Sequence, residues 1–213
     1  MRNSTNVTEK EKNNINLLYK KPLLSKRRGF FLIIAIMKAY NLKKTNIQDL
    51  YTFSMPFSAD NRGAFAKPYQ FSAFKDFELK EMYYSFSKKG SIRGMHFQSP
   101  PHDHAKIVCC PRGAILDVVL DLRKESPSYG EFETFELSEK EGKAIYIPKG
   151  CAHGFQSLEE NSMTLYLVSS EYAPDNDLGV LYNSFGLQWP LELTEISERD
   201  LSFPELAAFK SPF

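Results

Sequence analysis

The sequence predicts an all-β domain of the sandwich or barrel type, and three observations support this. Short apolar or alternating runs, each about as long as a strand, follow one another from about residue 46 onward. Clusters rich in Gly, Pro, Ser and Asp separate these runs at fairly regular intervals, as is typical of antiparallel β architectures. Sustained helical periodicity is scarce over the same stretch, which disfavours an all-α or α/β fold.

The first 36 residues are interpreted as a poorly specified extension, and residues 37–213 as the domain proper. A basic Arg27-Arg28-Gly29 precedes an apolar run at residues 30–36, which resembles a signal peptide only weakly because no small-residue cleavage site follows. The run is also far shorter than the ~20 residues that cross a bilayer. No membrane span is therefore expected.

Five runs within the domain are predicted to be strands, at residues 105–110, 114–121, 132–137, 143–147 and 163–169. Turn signals separate them at residues 111–113, 126–130 and 148–150. Within 114–121, alternate residues form one wholly apolar face, while the other face carries Asp117 and Asp121. Residues 195–208 are expected to hold a short helix with Ser197 as its N-cap.

The composition fits one globular domain without an obvious polymeric partner. Of 213 residues, 42% are hydrophobic, which suffices for one substantial core. The 27 Lys and Arg nearly balance the 26 Asp and Glu, so the charge gives no reason to expect nucleic acid or a membrane surface as the main partner. The three cysteines, Cys109, Cys110 and Cys151, lack a paired spacing and are expected to be buried free thiols in a reducing cytoplasm.

All four histidines lie between residues 96 and 153, inside the predicted β region. Gly142, Pro148, Gly150 and His153 stand in the spacing G-x5-P-x-G-x2-H, which resembles the second sequence motif of the cupins, although Ser157 replaces its final Asn. The first cupin motif is imitated only in part by His102-Asp103-His104, because its glutamate is lacking. The resemblance implies a cupin-type double-stranded β-helix, or jelly roll, with short peripheral helices.

A metal-dependent cupin, either an oxygenase or an isomerase, is an alternative. A mononuclear site of that kind usually needs about three histidines and one carboxylate, which His96, His104, His153 and Asp117 could supply. For His102 and His104, however, an exposed loop position beside Pro100-Pro101 is the expected one. The preferred interpretation therefore includes no metal and no other cofactor.

The strongest motif is the string at residues 91–98, Ser-Ile-Arg-Gly-Met-His-Phe-Gln, with Lys106 ten residues after His96. Further motifs follow it in order, at residues 117–127, 147–155, 172–174 and 188–190. Together they resemble the dTDP-4-dehydrorhamnose 3,5-epimerase family over about residues 37–204. This resemblance implies a cofactor-independent isomerase of deoxysugar and surface-polysaccharide biosynthesis, which inverts C3, C5 or both of a nucleotide-linked 4-keto-6-deoxyhexose.

The resemblance implies roles for four catalytic residues. Inverting a carbon beside a ketone requires a base on one face, stabilisation of the enolate, and an acid on the other face. His96 matches the family's base, and Asp200 matches the acidic residue that orients it and favours its protonated form. Lys106 matches the cation near the 4-keto oxygen, and Tyr166 matches the proton donor on the opposite face.

Six further residues match positions at which the family binds its substrate. Two of them, His153 and Asp117, would hydrogen-bond the sugar or support Lys106. The other four would hold the diphosphate or stack near the base, since guanidinium groups suit phosphate oxygens; they are Arg62, Phe65, Arg93 and Tyr172. A surface salt bridge for either arginine, and a core position for Phe65, stay open as alternatives.

Three residues depart from the family pattern where the nucleobase would be read. Lys67 stands in place of a usual Glu, and Glu81 and Tyr83 stand in place of Gln and Asn. These exchanges change which edge of a base can be hydrogen-bonded, so nucleotides other than dTDP stay open. A dTDP-linked sugar is the first choice because it is the usual substrate in the family that the sequence resembles.

Two further alternatives concern activity. A non-catalytic cupin would bind a sugar nucleotide without converting it, and a 3,4-ketoisomerase type of cupin would move the carbonyl along the ring. The family resemblance also implies a homodimer, in which exchanged N-terminal strands help to form the partner's nucleotide site.

Overall fold

The computed structural model describes residues 40–213, and the interpretation of residues 1–36 lies outside this part of the chain. The described part contains thirteen strands and only short helical turns. In chain order the strands are β1 Lys43–Lys44, β2 Tyr51–Ser54, β3 Phe57–Asp60, β4 Gly63–Ala66, β5 Glu81–Ser87, β6 Ile92–Gln98, β7 Lys106–Arg112, β8 Ala114–Asp121, β9 Phe132–Ser138, β10 Lys143–Ile147, β11 Cys151–Ser157, β12 Ser162–Val168 and β13 Asp177–Gly179.

The strands form two antiparallel sheets and one separate hairpin. The six-stranded sheet has the order β1-β2-β10-β7-β12-β5, and the five-stranded sheet has the order β13-β6-β11-β8-β9. Consecutive strands often change sheet, as β6 and β7 do, so the chain winds back and forth between two layers. The predicted all-β jelly roll is confirmed. Strands β3 and β4 pair only with each other.

The main core lies between the two sheets. Val108 and Ile145 of the six-stranded sheet pack in one cluster with Ile115, Val119 and Phe155 of the five-stranded sheet, and all five are at most 1% exposed. Burial of each such side chain stabilises the fold by roughly 1.5–3 kcal/mol. This core fills the space between the two sheets except for the cavity described below.

Each sheet is also covered on its outer face. Phe53, Phe74 and Phe77 pack on the outer side of the six-stranded sheet, and Trp189 and residues near the C-terminus pack on the five-stranded sheet. Strand β8 is therefore buried on both faces. The predicted alternation along it is confirmed, and the carboxylate-bearing face that holds Asp117 and Asp121 lies inside the molecule.

The five predicted strands correspond to β7, β8, β9, β10 and β12, with the bounds of β8 and β10 unchanged. The predicted turn at 111–113 is wrong in part, because β7 continues through Arg112 and the reversal occurs at Gly113, where φ is +72°. The predicted C-terminal helix is confirmed as α1, Glu198–Leu201, with Ser197 as its N-cap. Short 3-10 turns lie at Pro174–Asn176 and Leu206–Ala208.

Two smaller predictions can be compared with the described residues. Cys109, Cys110 and Cys151 are buried and free, as expected. Among residues 40–213, no helix has the length and apolar character needed to cross a membrane.

Candidate active site

A cavity of about 380 Å³ opens between the two sheets. Side chains of β5, β7 and β12 line one wall, and side chains of β6 and β11 line the other. Six of the predicted site residues border it: Arg93, His96, Lys106, His153, Tyr166 and Tyr172. The packing of the two sheets thus brings together predicted residues that are far apart in the sequence.

His96 is held by a buried carboxylate from the C-terminal helix. Its Nε2 lies 2.8 Å from Asp200 Oδ1, and the backbone N–H of Gly94 donates to Asp200 Oδ2 at 3.0 Å. The backbone N–H of Asp200 donates in turn to the capping Ser197 Oγ at 3.1 Å. Helix α1 therefore fixes the carboxylate, and the carboxylate fixes the imidazole.

The protonation of this pair follows from its surroundings. Burial by itself would raise the pKa of Asp200, but the hydrogen bond and charge of His96 and the N–H of Gly94 outweigh it and lower the pKa below its usual value. Because an ionised carboxylate can only accept, His96 Nε2–H donates the hydrogen bond, and Nδ1 carries the lone pair. This is the arrangement of an oriented general base.

Lys106 brings a cation into the same cavity. Its side chain is 5% exposed, and Nζ donates to the backbone carbonyl of His96 at 3.2 Å. Burial lowers the pKa of Lys106 to about 8, although Asp177 and Asp117 oppose the shift. An ammonium group has three donors, so Lys106 retains N–H groups for a developing negative charge on a ligand oxygen.

His153 and Asp117 form a second buried pair beside His96. Their Nε2 and Oδ2 atoms are 2.7 Å apart, and His153 pairs directly with His96 across strands β11 and β6. Burial lowers the pKa of His153 and raises that of Asp117, while each partner opposes the other's shift. The pair orients the His153 ring inside the wall of the cavity.

Tyr166 lies on β12, in the sheet opposite His96. Its ring is 8% exposed, stacks on Tyr83 at a centroid distance of 4.7 Å, and meets the ring of His153 edge-on at 5.9 Å. Burial raises the pKa of Tyr166, so the phenol keeps its proton. The imidazole of His96 and a neutral phenol thus border one cavity from different sheets.

Cations continue beyond the cavity into an adjoining groove. Arg93 and His96 line both spaces, and the groove is also bordered by Lys88 and Arg199. The Arg93 guanidinium donates to Ser87 Oγ and to the carbonyl of Phe86, both at 3.1 Å. Arg93 and Lys88 offer donors to an anionic group such as a diphosphate, although Glu195 and Asp200 also line the groove.

Two predicted binding residues lie elsewhere in the chain. Arg62 and Phe65 belong to the exposed β3–β4 hairpin and are absent from the cavity lining. Arg62 makes the surface salt bridge that was the alternative, with 2.6 Å between its guanidinium and Asp60 Oδ2. Phe65 is 59% exposed, so a core position for it is wrong.

The residues that depart from the family pattern separate in the same way. Glu81 and Tyr83 line the cavity, and Glu81 accepts the backbone N–H of Tyr172 at 2.9 Å. Lys67 is exposed just after the hairpin. The ring of Tyr83 stacks on that of Tyr166. The sequence alone did not predict this contact.

His104 was named by the sequence analysis only as a candidate metal ligand, and an exposed position was preferred for it. His102 is exposed, as expected, but the same expectation is wrong for His104, whose two ring nitrogens are buried and which lines the cavity. The sequence does contain a signal for this position. If the alternation of the strand predicted at 105–110 is continued back by one residue, His104 falls on the same side as Lys106.

The described residues do not fit the metal-dependent alternative. In residues 40–213, no group of three or more His, Cys, Asp or Glu side chains is arranged to hold a metal ion. Of the four candidate ligands, His96 is paired with Asp200 and His153 with Asp117. Nε2 of each of these two histidines is thus directed to a different carboxylate.

Jelly-roll walls that carry an oriented histidine, a buried lysine and an opposed tyrosine define a cupin-type isomerase. The family model for dTDP-4-dehydrorhamnose 3,5-epimerase matches residues 44–208. The chain belongs to this family, and it is an epimerase by that membership.

Individual relatives agree with this assignment. The chain is 37% identical over 155 residues to a dTDP-4-dehydrorhamnose 3,5-epimerase of Mycolicibacterium smegmatis, covering 70% of this chain and 77% of the relative. It is 34% identical to a dTDP-4-dehydrorhamnose 3-epimerase of Streptomyces niveus, covering 75% and 80%. The crystal structure of a dTDP-6-deoxy-D-glucose-3,5-epimerase from Legionella pneumophila, in complex with dTDP-4-keto-L-rhamnose, superposes with a TM-score of 0.76 at 28% identity, covering 80% and 94%.

Proposed function

We propose that this protein inverts C3, C5 or both of a dTDP-linked 4-keto-6-deoxyhexose, by removing a proton from one face of the carbon and returning one to the other. The observation that carries this proposal is the placement of His96 and Tyr166 on opposite sheets around one cavity that also holds Lys106. Protons beside a ketone are acidic enough for such a mechanism when the enolate is stabilised.

The first step is proton abstraction by His96. Its Nδ1 lone pair takes the proton from the carbon next to the ketone, and the C–H electron pair moves into the ring to give an enolate. The imidazolium that forms is stabilised by the ionised Asp200 at 2.8 Å. The negative charge moves to the former carbonyl oxygen, where the Lys106 ammonium holds it.

The second step is proton return by Tyr166. The electron pair of the enolate takes the phenolic proton on the opposite face, the carbonyl forms again, and the carbon is inverted. The phenolate recovers a proton and the imidazolium loses one to solvent, so the enzyme is restored. Because substrate and product are isomers, no redox partner is needed.

Relatives of this chain differ in whether C3 alone or both C3 and C5 are inverted. The relative from Streptomyces niveus is named a 3-epimerase and the one from Mycolicibacterium smegmatis a 3,5-epimerase. The proposed residues supply one base, one acid and one cation, which is chemistry that C3 and C5 both require.

We infer that the active form is a homodimer located in the cytoplasm. All eight residues of strands β3 and β4 are exposed, which suits a hairpin that carries Arg62 and Phe65 to the partner's diphosphate and base. A row of apolar side chains on β5, Met82, Tyr84 and Phe86, is also 48–62% exposed.

The proposed location in the cytoplasm rests on other observations. A nucleotide-sugar substrate and three free thiols fit the reducing cytoplasm.

A panel of 4-keto-6-deoxyhexoses linked to different nucleoside diphosphates, followed by NMR in deuterated water, tests this function. We expect deuterium at C3 or C5 of the dTDP-linked sugar without added metal or nicotinamide, and weaker turnover of other bases. Tight binding without exchange for any sugar would support the non-catalytic alternative. Movement of the carbonyl would support the 3,4-ketoisomerase alternative.

A further inference from the structure

His104 is a buried imidazole in the cavity that the proposed mechanism does not use. Both of its ring nitrogens are shielded from solvent, and within residues 40–213 no well-formed hydrogen bond reaches either of them, although the backbone of His102 lies close enough to act on the ring. A buried polar group without a partner destabilises a fold by about 1–3 kcal/mol, and such groups are uncommon in native proteins. The ring borders the cavity, so a turn of the side chain would bring a nitrogen to a ligand there, and a partner that enters with the substrate would then satisfy it.

The surroundings of His104 keep the ring neutral. Burial, followed by the charge of Lys106, lowers the pKa of His104 to about 3; Lys149 and His153 act in the same direction, and the nearby backbone of His102 opposes them. A neutral imidazole presents one N–H donor and one acceptor nitrogen. This matches an alcohol, which both donates and accepts, better than a diphosphate, which only accepts and is better served by cations such as Arg93.

The position of His104 points to the sugar half of the substrate. It borders the same cavity as Lys106 and His153, and it does not border the adjoining groove that contains Lys88 and Arg199. In the proposed mechanism Lys106 holds the carbonyl oxygen, and its charge acts on the nearby ring of His104, so a hydroxyl on a neighbouring ring carbon is the group that His104 would meet.

We propose that His104 is a further substrate-binding residue, which hydrogen-bonds a hydroxyl group of the hexose beside the carbonyl oxygen held by Lys106. This assignment rests on the proposed function. It makes His104 a determinant of which hexose is accepted, because a hydroxyl that is missing or inverted would leave the buried ring unpaired.

The test compares binding of the dTDP-linked 4-keto-6-deoxyhexose with binding of dTDP alone, by calorimetry. His104→Phe keeps a ring of similar shape and removes both polar atoms, and we expect the Kd of the sugar nucleotide to rise roughly tenfold. The Kd of dTDP should stay within about twofold. His104→Asn retains a donor and an acceptor and should lie between wild type and His104→Phe, while His102→Phe, two residues away and exposed, should match wild type.

Unchanged sugar-nucleotide affinity in His104→Phe would overturn the proposal. An equal loss of affinity for dTDP would also overturn it, because the residue would then only shape the cavity. If His104→Phe does not fold, wild-type protein with 15N-labelled histidine decides: the sugar nucleotide, and not dTDP, should shift the His104 ring resonances, and identical spectra would contradict the assignment. Binding needs no turnover, so a failure of the epimerase reaction is seen separately as absent deuterium exchange.

Discussion

At the scale of single residues, His96 and Tyr166 differ in what surrounds them. His96 Nε2 lies 2.8 Å from the ionised carboxylate of Asp200, which fixes the ring and leaves Nδ1 free. Tyr166 lies between the rings of Tyr83 and His153 in a wall that disfavours a phenolate. The first is therefore suited to take a proton and the second to give one.

Replacement of Tyr166 by Phe should separate proton removal from inversion. His96 can still form the enolate and return a solvent deuteron to the same face, so we expect deuterium uptake to persist within about tenfold of wild type while net inversion falls at least about a hundredfold. NMR of the product measures both rates. Tyr129→Phe, an exposed tyrosine outside the cavity, should behave as wild type. Equal losses of uptake and inversion would contradict the assigned role.

The pKa of Lys106 predicts an alkaline limit to activity. Below about pH 8 the side chain is an ammonium that stabilises the enolate, and above this pH it becomes a neutral amine. We expect kcat/KM to fall about tenfold per pH unit above that pKa. Burial raises the pKa of Tyr166 and raises that of Tyr83 to about 12, so neither tyrosine titrates in this range. A profile that stays flat to pH 10 would show that Lys106 is not required as a cation.

The residues of this site were predictable to different degrees. The alternation along β8 shows that Asp117 lies on the carboxylate-bearing face, but nothing in the spacing shows that Asp200 meets His96 across 104 positions; that pairing followed from the family resemblance alone. The place of His104 in the cavity wall was not predicted, because Pro100 and Pro101 suggest an exposed loop. In the structure the segment turns back toward the cavity just before β7.

At the scale of elements, the close approach of β6 and β11 positions both histidine pairs. The ladder between them is irregular between His153 and Phe155, where Gly94 and Gly154 face each other. A Cβ built on Gly94 would collide with Gly154 Cα and lie 3.0 Å from the His153 carbonyl oxygen. Glycine at 94, with φ of +133°, thus lets the two backbones meet.

Replacement of Gly94 by Ala should destabilise the protein strongly. Strain at positive φ and the backbone collision act together, and we expect a loss of roughly 3 kcal/mol or more in the free energy of unfolding. Urea denaturation measures it. Gly186→Ala is the control, because φ is also positive there, at +88°, and nothing lies within 4 Å of the added methyl; it should lose only about 1 kcal/mol. Similar losses at both sites would mean that strain alone acts and that the β6–β11 contact is tolerant.

The strands that were predicted are those with regular apolar patterns. Strands β8 and β12 contain Val, Leu and Tyr in runs that hydrophobicity detects. Strands β6 and β11 were not predicted as strands, because Arg, His, Gly and Gln interrupt them. The polar residues that interrupt the apolar pattern include Arg93, His96 and His153, which line the cavity.

At the scale of the whole molecule, the inferred dimer assigns His96 and Arg62 of one active site to different chains. The exposed hairpin that carries Arg62 is nowhere among the residues that line the cavity of its own chain. The sequence predicted the two-layer fold, but the arrangement of two copies follows only from the family resemblance.

Mixing two inactive variants tests this arrangement. His96→Asn and Arg62→Ala should each be impaired as homodimers. After subunits are exchanged by mild denaturation and refolding, about half of the dimers are mixed and each contains one intact site, so activity should return to about a quarter of wild type. If His96 and Arg62 of one chain serve the same site, every site in a mixed dimer lacks one group and no activity returns.

Deuterium incorporation by the His96→Asn variant tests the central claim most directly. The asparagine keeps a polar side chain beside Asp200 but cannot act as a base near neutral pH, whereas His102→Asn makes the same change at an exposed position. With a dTDP-linked 4-keto-6-deoxyhexose in deuterated water, we predict uptake at C3 or C5 for wild type and His102→Asn, and a loss of at least about a thousandfold for His96→Asn with dTDP binding retained. Uptake by His96→Asn at the wild-type rate would contradict the account.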